Sequence, residues 1–451
     1  MAKYKFSRLS RSLPTPLRLI GGLTICTLIG TLVMMLPWVS TASGLSFSDA
    51  LFTTVSALSV TGLTVITPSL ELTVLGQICL VCLIQLGGVG YMVLAILIFR
   101  LLGRAVSLAD RLALKDALGL LNISGIVELA KKVFIAVLTV EAVGAVLLFF
   151  HWSRVGPLAD ESPGKVAFYA GFHAISAFCN AGFNLFNGTY DFPDDSISLL
   201  IIGGLVALGG LGIPVIFDFI ARRKAKHFSL HTKLTLIVTA CLFLFGMLGI
   251  LISESRPGHL LDQLPVARQL ELSAFHSVSC RSGGFIAVPE FQYLAPASQL
   301  ITFTLMFIGC GPASMGGGIT TGTFLVMLLA LFAYIRRQST PIVYGRAIPG
   351  EMVRKAAAVL TVSLFAVLTG SGLILLTHET TLDAALFEVV SAFATCGLSL
   401  GFTENLNEFG RLVVVCMMFW GRLGALTVLF AFTRPGVLRR VTYPEEKILI
   451  G

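Results

Sequence analysis

The stretch Ser56-Ala-Leu-Ser-Val-Thr-Gly62-Leu-Thr64 decides the architecture of this chain, because three related stretches follow it. They are Ser176-Ala-Phe-Cys-Asn-Ala-Gly182-Phe-Asn184, Ser279-Cys-Arg-Ser-Gly-Gly284-Phe-Ile286 and Ser391-Ala-Phe-Ala-Thr-Cys-Gly397-Leu-Ser399. The third copy is one residue shorter between its serine and its glycine. We align Gly284 rather than Gly283 with the other glycines, because each glycine is then followed directly by Leu or Phe. The chain is therefore predicted to contain four copies of one unit.

The composition indicates a polytopic membrane protein. The chain has 451 residues, of which 55% are hydrophobic and 12% charged, and the mean hydropathy is +0.89. Soluble domains have about 25% charged residues. The net charge of +8 does not indicate nucleic-acid binding, because the basic residues form short clusters between apolar segments. A soluble protein and a nucleic-acid partner are both disfavoured.

Eight apolar segments are long enough to span about 30 Å of hydrocarbon. They lie near 17–38, 72–99, 129–150, 197–220, 232–253, 299–335, 353–376 and 407–432. A shorter amphipathic segment precedes each glycine motif, near 48–58, 165–178, 266–279 and 381–394. These four segments are too short to cross a bilayer and are interpreted as re-entrant half-helices.

The repeated unit is a helix, a half-helix, a glycine loop and a second helix. A glycine cluster in each second helix follows its motif glycine by 24 to 27 residues, at Gly87, Gly209, Gly309 and Gly421. The predicted fold is an all-α membrane protein with pseudo-fourfold symmetry around a central pore. The repeats are assigned to 1–115, 116–228, 229–345 and 346–451, the last with a C-terminal tail.

The Lys and Arg residues predict the topology. Most of the 32 lie at the two termini and in the three connections between repeats, whereas most acidic residues fall on the opposite side. The positive-inside rule therefore places both termini in the cytoplasm. The protein is expected in the plasma membrane, as a multi-pass protein in contact with membrane lipid.

The glycine loops are the candidate ion-selectivity filter. A half-helix that enters from outside directs its carbonyl end, equivalent to about half a negative charge, toward the membrane centre. Glycine allows the following loop to turn its carbonyls toward the axis, where they replace an ion's hydration shell. No carboxylate lies in the motifs, so a monovalent cation is favoured over a divalent one. The candidate filter residues are Val60, Thr61, Gly62, Asn180, Ala181, Gly182, Ser282, Gly283, Gly284, Thr395, Cys396 and Gly397.

Two features break the fourfold similarity. The third inner helix is interrupted by glycines and by Pro312, which favours a mobile barrier in the ion path over a fixed kink. Arg422 lies within the fourth inner helix, where a charge is costly and suggests a function. It either repels cations or binds carbonyls of the interrupted helix. Arg281 either braces its loop or takes part in conduction, while Glu141, His173 and His276 are expected to be packed and hydrogen-bonded.

These motifs resemble the superfamily of Trk, Ktr and HKT potassium transporters over essentially the whole chain. The resemblance is greatest to KtrB, the membrane subunits of bacterial Ktr systems, because eight spans are predicted without an additional N-terminal pair. It implies that Gly62, Gly182, Gly284 and Gly397 select K⁺ through filter carbonyls, and that Arg422 acts as a gate or electrostatic barrier. The family's gating loop matches Gly311, Pro312, Ala313, Ser314, Met315, Gly316, Gly317, Gly318, Ile319, Thr320, Thr321 and Gly322.

The resemblance also implies a homodimer and a cytoplasmic ring of KtrA-type RCK subunits that bind ATP or ADP. The chain itself has no nucleotide-binding fingerprint. The expected function is passage of K⁺ down its electrochemical gradient, with Na⁺ dependence left open. One alternative is a transporter of Na⁺ or of monovalent cations without selectivity. An integral-membrane enzyme is a remote alternative, because no intramembrane cluster of catalytic residues is apparent.

Overall fold

The computed structural model describes residues 15–41, 44–90, 93, 126–186, 190, 192–221, 228–425 and 427–428. The predicted tail to Gly451, the repeat boundary at 115/116 and the basic connections at 94–125 and 222–227 lie outside these residues. So do most of the residues beyond 90 in the first inner segment and beyond 428 in the fourth.

The described residues are mainly helical. Two strands, β1 (Ile342–Val343) and β2 (Arg346–Ala347), pair antiparallel. The α-helices in chain order are α1 (Thr15–Met34), α2 (Phe47–Ser59), α3 (Pro68–Glu71), α4 (Val74–Val89), α5 (Ile126–Trp152), α6 (Pro163–Phe178), α7 (Ser196–Gly210), α8 (Ile213–Ala221), α9 (Leu230–Glu254), α10 (Val266–Ser279), α11 (Pro296–Phe307), α12 (Thr321–Ile335), α13 (Gly350–Thr377), α14 (Leu382–Phe393) and α15 (Glu408–Leu423). Short 3₁₀ helices occupy Phe291–Tyr293 and Thr403–Asn405.

The order of these helices repeats the predicted unit four times. The outer helices are α1, α5, α9 and α13; the short helices are α2, α6, α10 and α14. The inner helices are α4, α7, α11 and α15, with α8 and α12 continuing the second and third. The four short segments predicted from the sequence are confirmed as helices, each within two residues of the expected ends.

Each inner helix packs against the short helix of the next repeat. The contacts are α4 with α6, α7 with α10, α11 with α14, and α15 with α2. The last of these pairs joins the fourth repeat to the first, so the four repeats close into a ring. The phenylalanine that lies four residues before each motif serine is buried at 5% exposure or less, at Phe52, Phe172, Phe275 and Phe387.

Four described helices are long and apolar enough to cross a membrane, or five if one bent pair is counted as a span. The four are Pro16–Met34, Ala130–Trp152, Leu230–Glu254 and Gly350–Thr377, which are the outer helices. Many Leu, Ile, Val and Phe side chains are exposed on the surfaces of these helices. The chain is therefore an all-α, multi-pass membrane protein, and the count of eight spans remains a prediction.

The second inner helix is broken within the apolar segment 197–220, which the sequence indicated only as long enough to span. Helix α7 ends at Gly210 and α8 starts at Ile213, with a bend of 101° between them. Gly212 has φ +94°, which a right-handed helix does not allow. Gly90 and Gly424 likewise have positive φ at the ends of α4 and α15. The sequence indicated only the longer break between α11 and α12.

The inner-helix glycines lie where the short helices end. A Cβ on Gly87 would lie 2.3 Å from the carbonyl oxygen of Leu58, and one on Gly421 1.9 Å from that of Phe393. Gly309 differs, because its neighbour is the carbonyl oxygen of Gly317, in the loop between α11 and α12. This close packing explains the near-constant distance along the chain between the motif glycine and the glycine cluster.

Gly209→Val is expected to destabilise the fold by about 3 kcal/mol, the upper end for an overpacked site. A Cβ on Gly209 would lie 1.9 Å from the carbonyl oxygen of Phe178, a backbone atom and not the end of a flexible side chain. Thermal unfolding in detergent measures the effect. The control is Gly204→Val on the same helix, where a Cβ has nothing within 4 Å. Equal melting temperatures for the two variants would contradict the packing account.

Candidate functional site: a ring of four glycine loops

Each short helix ends in the same two-step turn. The residue two positions before the motif glycine has positive φ, and the glycine itself has positive φ as well. The first set is Val60, Asn180, Ser282 and Thr395, and the second is Gly62, Gly182, Gly284 and Gly397. Gly283 does not share this conformation, so the backbone supports the alignment through Gly284. Positive φ is strained for a β-branched residue such as Val60, so the surrounding structure must hold these turns in place.

The motif serines hold the turns. Ser56 and Ser391 accept hydrogen bonds at Oγ from the amides of Gly62 and Gly397, at 3.0 and 3.1 Å. Ser176 donates instead to the carbonyl of Phe183, at 2.8 Å. Ser279 does the same to Phe285, at 2.6 Å. All four serines are buried. They position the loop backbone. The sequence showed that a serine recurs in all four motifs, but it did not show this role.

The four loops form a closed ring in which each glycine faces a carbonyl of the next loop. A Cβ on Gly62 would lie 2.3 Å from the oxygen of Ala181, and one on Gly182 would lie 3.1 Å from that of Gly283. The ring continues from Gly284 to the oxygen of Cys396, at 2.5 Å, and closes from Gly397 to that of Thr61, at 2.1 Å. No side chain fits at any of these four positions.

The other loop side chains are packed away from this ring. Those of Val60, Thr61, Asn180, Ala181, Ser282, Thr395 and Cys396 are all buried. The Leu or Phe after each glycine is exposed by no more than 1%. Ser282 donates to the carbonyl of Thr395 at 2.7 Å, which joins the third and fourth loops. The structure thus brings together all twelve predicted filter residues, and the groups nearest the ring are backbone carbonyls and glycines.

The ring lies at the C-terminal ends of four helices. Those ends have a partial negative charge from unpaired carbonyls. No Asp or Glu occurs within the loops 60–64, 180–184, 282–286 and 395–399. The arrangement can therefore attract a cation and surround it with neutral oxygens, as suits an ion that exchanges water for carbonyls.

The segment between α11 and α12 fills the space next to the ring. The amide of Gly311 donates to Gly210 O at 2.8 Å, and that of Ile213 donates to Ala313 O at 3.0 Å. The segment is thus hydrogen-bonded into the break of the second inner helix. A Cβ on Gly317 would lie 2.6 Å from Thr395 Oγ1, which places the segment against the fourth glycine loop. Of the predicted gating-loop residues, Thr321 and Gly322 already belong to the first turn of α12.

Arg422 fastens this segment to the first repeat. Its guanidinium donates to the carbonyls of Met315 and Gly87, and to that of Gly88 at 3.1 Å. The sequence left two readings of Arg422 open, and the structure shows binding to carbonyls of the interrupted helix. One side chain therefore links the segment to the end of α4.

The other charged or polar residues singled out in the sequence are hydrogen-bonded. Arg281 donates to Gly309 O at 3.0 Å, which is the bracing contact rather than an open position in the pore. His173 contacts the carbonyl of Tyr169 at 2.8 Å, and His276 contacts Thr302 at 2.9 Å. Glu141 accepts from Gln85 at 3.0 Å. Each is packed as expected.

Sequence reasoning missed a fully buried carboxylate. Glu388 lies in α14 and accepts from Ser399 at 2.7 Å and from Thr403 at 2.6 Å, so it ties the short helix to the chain beyond the glycine. His173 makes the equivalent link to Asn184 at 3.0 Å. Both residues lie three positions before a motif serine. A comparison of that position among the four copies would have found Glu388.

Several acidic residues near helix N-termini are already paired. Asp49 contacts Arg411 at 2.9 Å, and Asp194 contacts Arg268 at 2.5 Å. The hydrogen bond from Lys165 lowers the pKa of the Glu161 carboxyl. These carboxylates hold neighbouring segments together.

Comparison with known proteins gives a consistent set of relatives. The model of the TrkH family, described as cation transport protein, matches residues 23–436. Ktr system potassium uptake protein B from Bacillus subtilis is 37% identical over 432 residues, covering 95% of each chain. The protein of the same name from Vibrio alginolyticus is 37% identical over 427 residues, covering 94% of this chain and 92% of that protein.

Two further matches extend the comparison. Potassium/sodium uptake protein NtpJ from Enterococcus hirae is 32% identical over 446 residues, covering 97% of each chain. The crystal structure of the potassium transporter TrkH from Vibrio parahaemolyticus superposes with a TM-score of 0.71 at 22% identity, covering 93% of this chain and 84% of that one. The structural match supports the same fold.

Proposed function

The chain belongs to the TrkH family of cation transport proteins, and is thus a transporter and not an enzyme; from this premise we propose that it is the potassium-translocating membrane subunit of a Ktr-type uptake system. The observation that supports this most strongly is the closed ring in which each of four glycines faces a carbonyl of the next loop. Three curated relatives of nearly full length have potassium uptake in their names.

The ring acts as the selectivity filter. Carbonyl oxygens of the glycine loops replace the hydration shell of K⁺, and the four helix C-termini favour its positive charge. Neutral oxygens suit a weakly hydrated monovalent ion, which must bind well enough to enter and weakly enough to leave. K⁺ is the transported substrate and moves down its electrochemical gradient.

The loop 311–322 and Arg422 form the gate. The loop lies beside the ring and is held from two sides. Backbone hydrogen bonds join it to the broken second inner helix, and Arg422 binds it from the other side. Release of these bonds allows the loop to leave the ion path. Irregular backbone within a membrane is tolerated where it is buried in protein or lines a cavity, as this proposal requires of the loop.

The assembly and topology follow the same proposal. The chain forms a homodimer with one pore per subunit, and a cytoplasmic KtrA-type ring that binds ATP or ADP regulates it. Both termini face the cytoplasm, and the four repeats occupy 1–115, 116–228, 229–345 and 346–451. The basic connections on the cytoplasmic side are suited to docking that ring.

Passage or coupling of Na⁺ is the second candidate, favoured by one relative whose name includes potassium and sodium uptake. The two proposals differ in how Na⁺ behaves at the filter. In the potassium proposal, excess Na⁺ outside does not inhibit uptake of K⁺ by occupying the ring. In the sodium proposal, Na⁺ itself accumulates through the chain.

Uptake in bacterial cells that lack their own potassium transporters tests the proposal. Cells that express this chain with a KtrA-type partner are expected to grow at low external K⁺ and to take up K⁺ in preference to Na⁺. The matched control is Gly397→Ser, which places a side chain against the oxygen of Thr61, expressed to the same level. Failure of the wild type to rescue growth, or Na⁺ uptake without K⁺ uptake, would refute the potassium proposal. Equal rescue by both forms would instead remove Gly397 from the filter.

A further inference from the structure

An apolar groove opens between the second outer helix and the broken second inner helix. Its volume is about 270 Å³, enough for several methylene groups of a chain. One wall is formed by α5, including Val133, Ile135 and Val137, and the other by α8, with Ile213 and Phe217. The 101° bend between α7 and α8 turns α8 away from the line of α7 and leaves this space beside α5.

The bottom of the groove is the gating loop. Met315 and Phe178 are the most buried of the residues that line the groove, each exposed by 2% or less. The carbonyl of Met315 accepts the hydrogen bond from Arg422, and its amide donates to Gly209 O at 3.2 Å. Met315 is therefore both the bottom of the groove and the residue that fixes the loop to two neighbouring repeats.

The mouth of the groove is basic. Lys132 lines it and is exposed, and it forms none of the salt bridges among the described residues. Lys132 lies near the start of α5, which is the helix that follows the basic connection 94–125. Anionic lipid headgroups attract Lys and Arg near a membrane surface.

We propose that this groove binds one anionic phospholipid, with its phosphate at Lys132 and an acyl chain against Met315, and that the bound lipid stabilises the closed gating loop. The regulatory half of this inference rests on the proposed gate. The apolar walls match an acyl chain, and the exposed cation matches the headgroup. An acyl chain in the groove opposes movement of Met315, because the gating loop would have to displace the acyl chain when its hydrogen bonds break.

Lipid binding is measured first, without reference to transport. Native mass spectrometry of the full purified chain compares phosphatidylglycerol with phosphatidylcholine. Retention of phosphatidylglycerol is expected to fall about fivefold in Lys132→Gln, the loss of one lysine near an anionic headgroup, and to stay unchanged in Lys131→Gln. Equal retention of both lipids by the wild type, or equal loss in the two variants, overturns the binding proposal.

A photoreactive residue in place of Phe217, on the groove wall, identifies the occupant directly. The expected adduct in proteoliposomes is a phospholipid. An adduct to a second copy of the chain would show that this face is a subunit interface, and it overturns the proposal.

Regulation is tested by cation flux in vesicles of phosphatidylcholine with and without phosphatidylglycerol. Flux is expected to be about fivefold lower with the anionic lipid, at the low end of common coupling factors. Val137→Trp fills the groove with a side chain and is expected to abolish this lipid dependence, whereas Leu138→Trp, outside the groove, retains it. If the wild type binds phosphatidylglycerol but its flux is the same in both kinds of vesicle, the proposed regulation is overturned and the binding proposal stands. Absence of flux in every vesicle counts against the proposed function and leaves the binding result unaffected.

Discussion

Gly62→Ser is expected to lower the preference for K⁺ over Na⁺ by about tenfold or more, which corresponds to about 1.4 kcal/mol of differential ion binding. The residue has φ +90°, and an added Cβ would lie 2.3 Å from the carbonyl oxygen of Ala181. Because that oxygen belongs to the ring, it must move to make room. The ring then no longer offers oxygens at the distances that K⁺ requires.

The measurement is competitive uptake of K⁺ and Na⁺ by proteoliposomes that contain the variant. Gly372→Ser is the matched control, because Gly372 lies in α13, has no positive φ and would place a Cβ with nothing within 4 Å. It is expected to transport as the wild type does. An unchanged ion preference in Gly62→Ser would remove Gly62 from the filter.

Arg422→Met is expected to raise cation flux about tenfold in the absence of a cytoplasmic partner, within the usual range of coupling between sites. The substitution removes donors to Met315, Gly87 and Gly88, and with them the link between the loop and the first repeat. A loop with fewer bonds spends more time out of the ion path. Flux into proteoliposomes under an imposed voltage measures the change.

Two further variants separate the roles of charge and bonding. Arg422→Lys retains the charge but lacks the planar fork that binds several carbonyls at once. If the bonds hold the gate, this variant leaks too; if charge alone repels cations, its flux stays low. Arg411→Gln is the control, since it removes a cation near the other end of the same helix, where Arg411 pairs with Asp49. Wild-type flux in Arg422→Met would contradict the gate assignment.

The repeat unit could be predicted from the sequence because its signals are local. Short amphipathic segments that end in a glycine motif predicted the ends of the four short helices to within two residues. The near-constant distance to the glycine cluster follows from direct packing, as between Gly421 and Phe393. The break in the second inner helix was missed, because 197–220 is mostly apolar and of the right length for a span. Gly212 and Pro214 were the available signal.

The partners of individual site residues could not be predicted, since they lie far apart in the chain. Arg422 bonds to Gly87 across the ring of repeats, and only the closure of the fourth repeat on the first makes that contact. Glu388 was overlooked for a different reason. A carboxylate in a short helix suggests solvent exposure, whereas here two hydroxyl donors make its burial tolerable.

The most direct test of the central claim is cation flux into liposomes that contain only this purified chain, with K⁺ and Na⁺ compared under the same imposed voltage. Wild type and Arg422→Met are measured together, so that a closed gate cannot hide the filter. If the glycine ring selects K⁺, the K⁺ flux exceeds the Na⁺ flux in both proteins and is larger in the variant. Equal fluxes of the two ions, or no flux in either protein, would contradict the account.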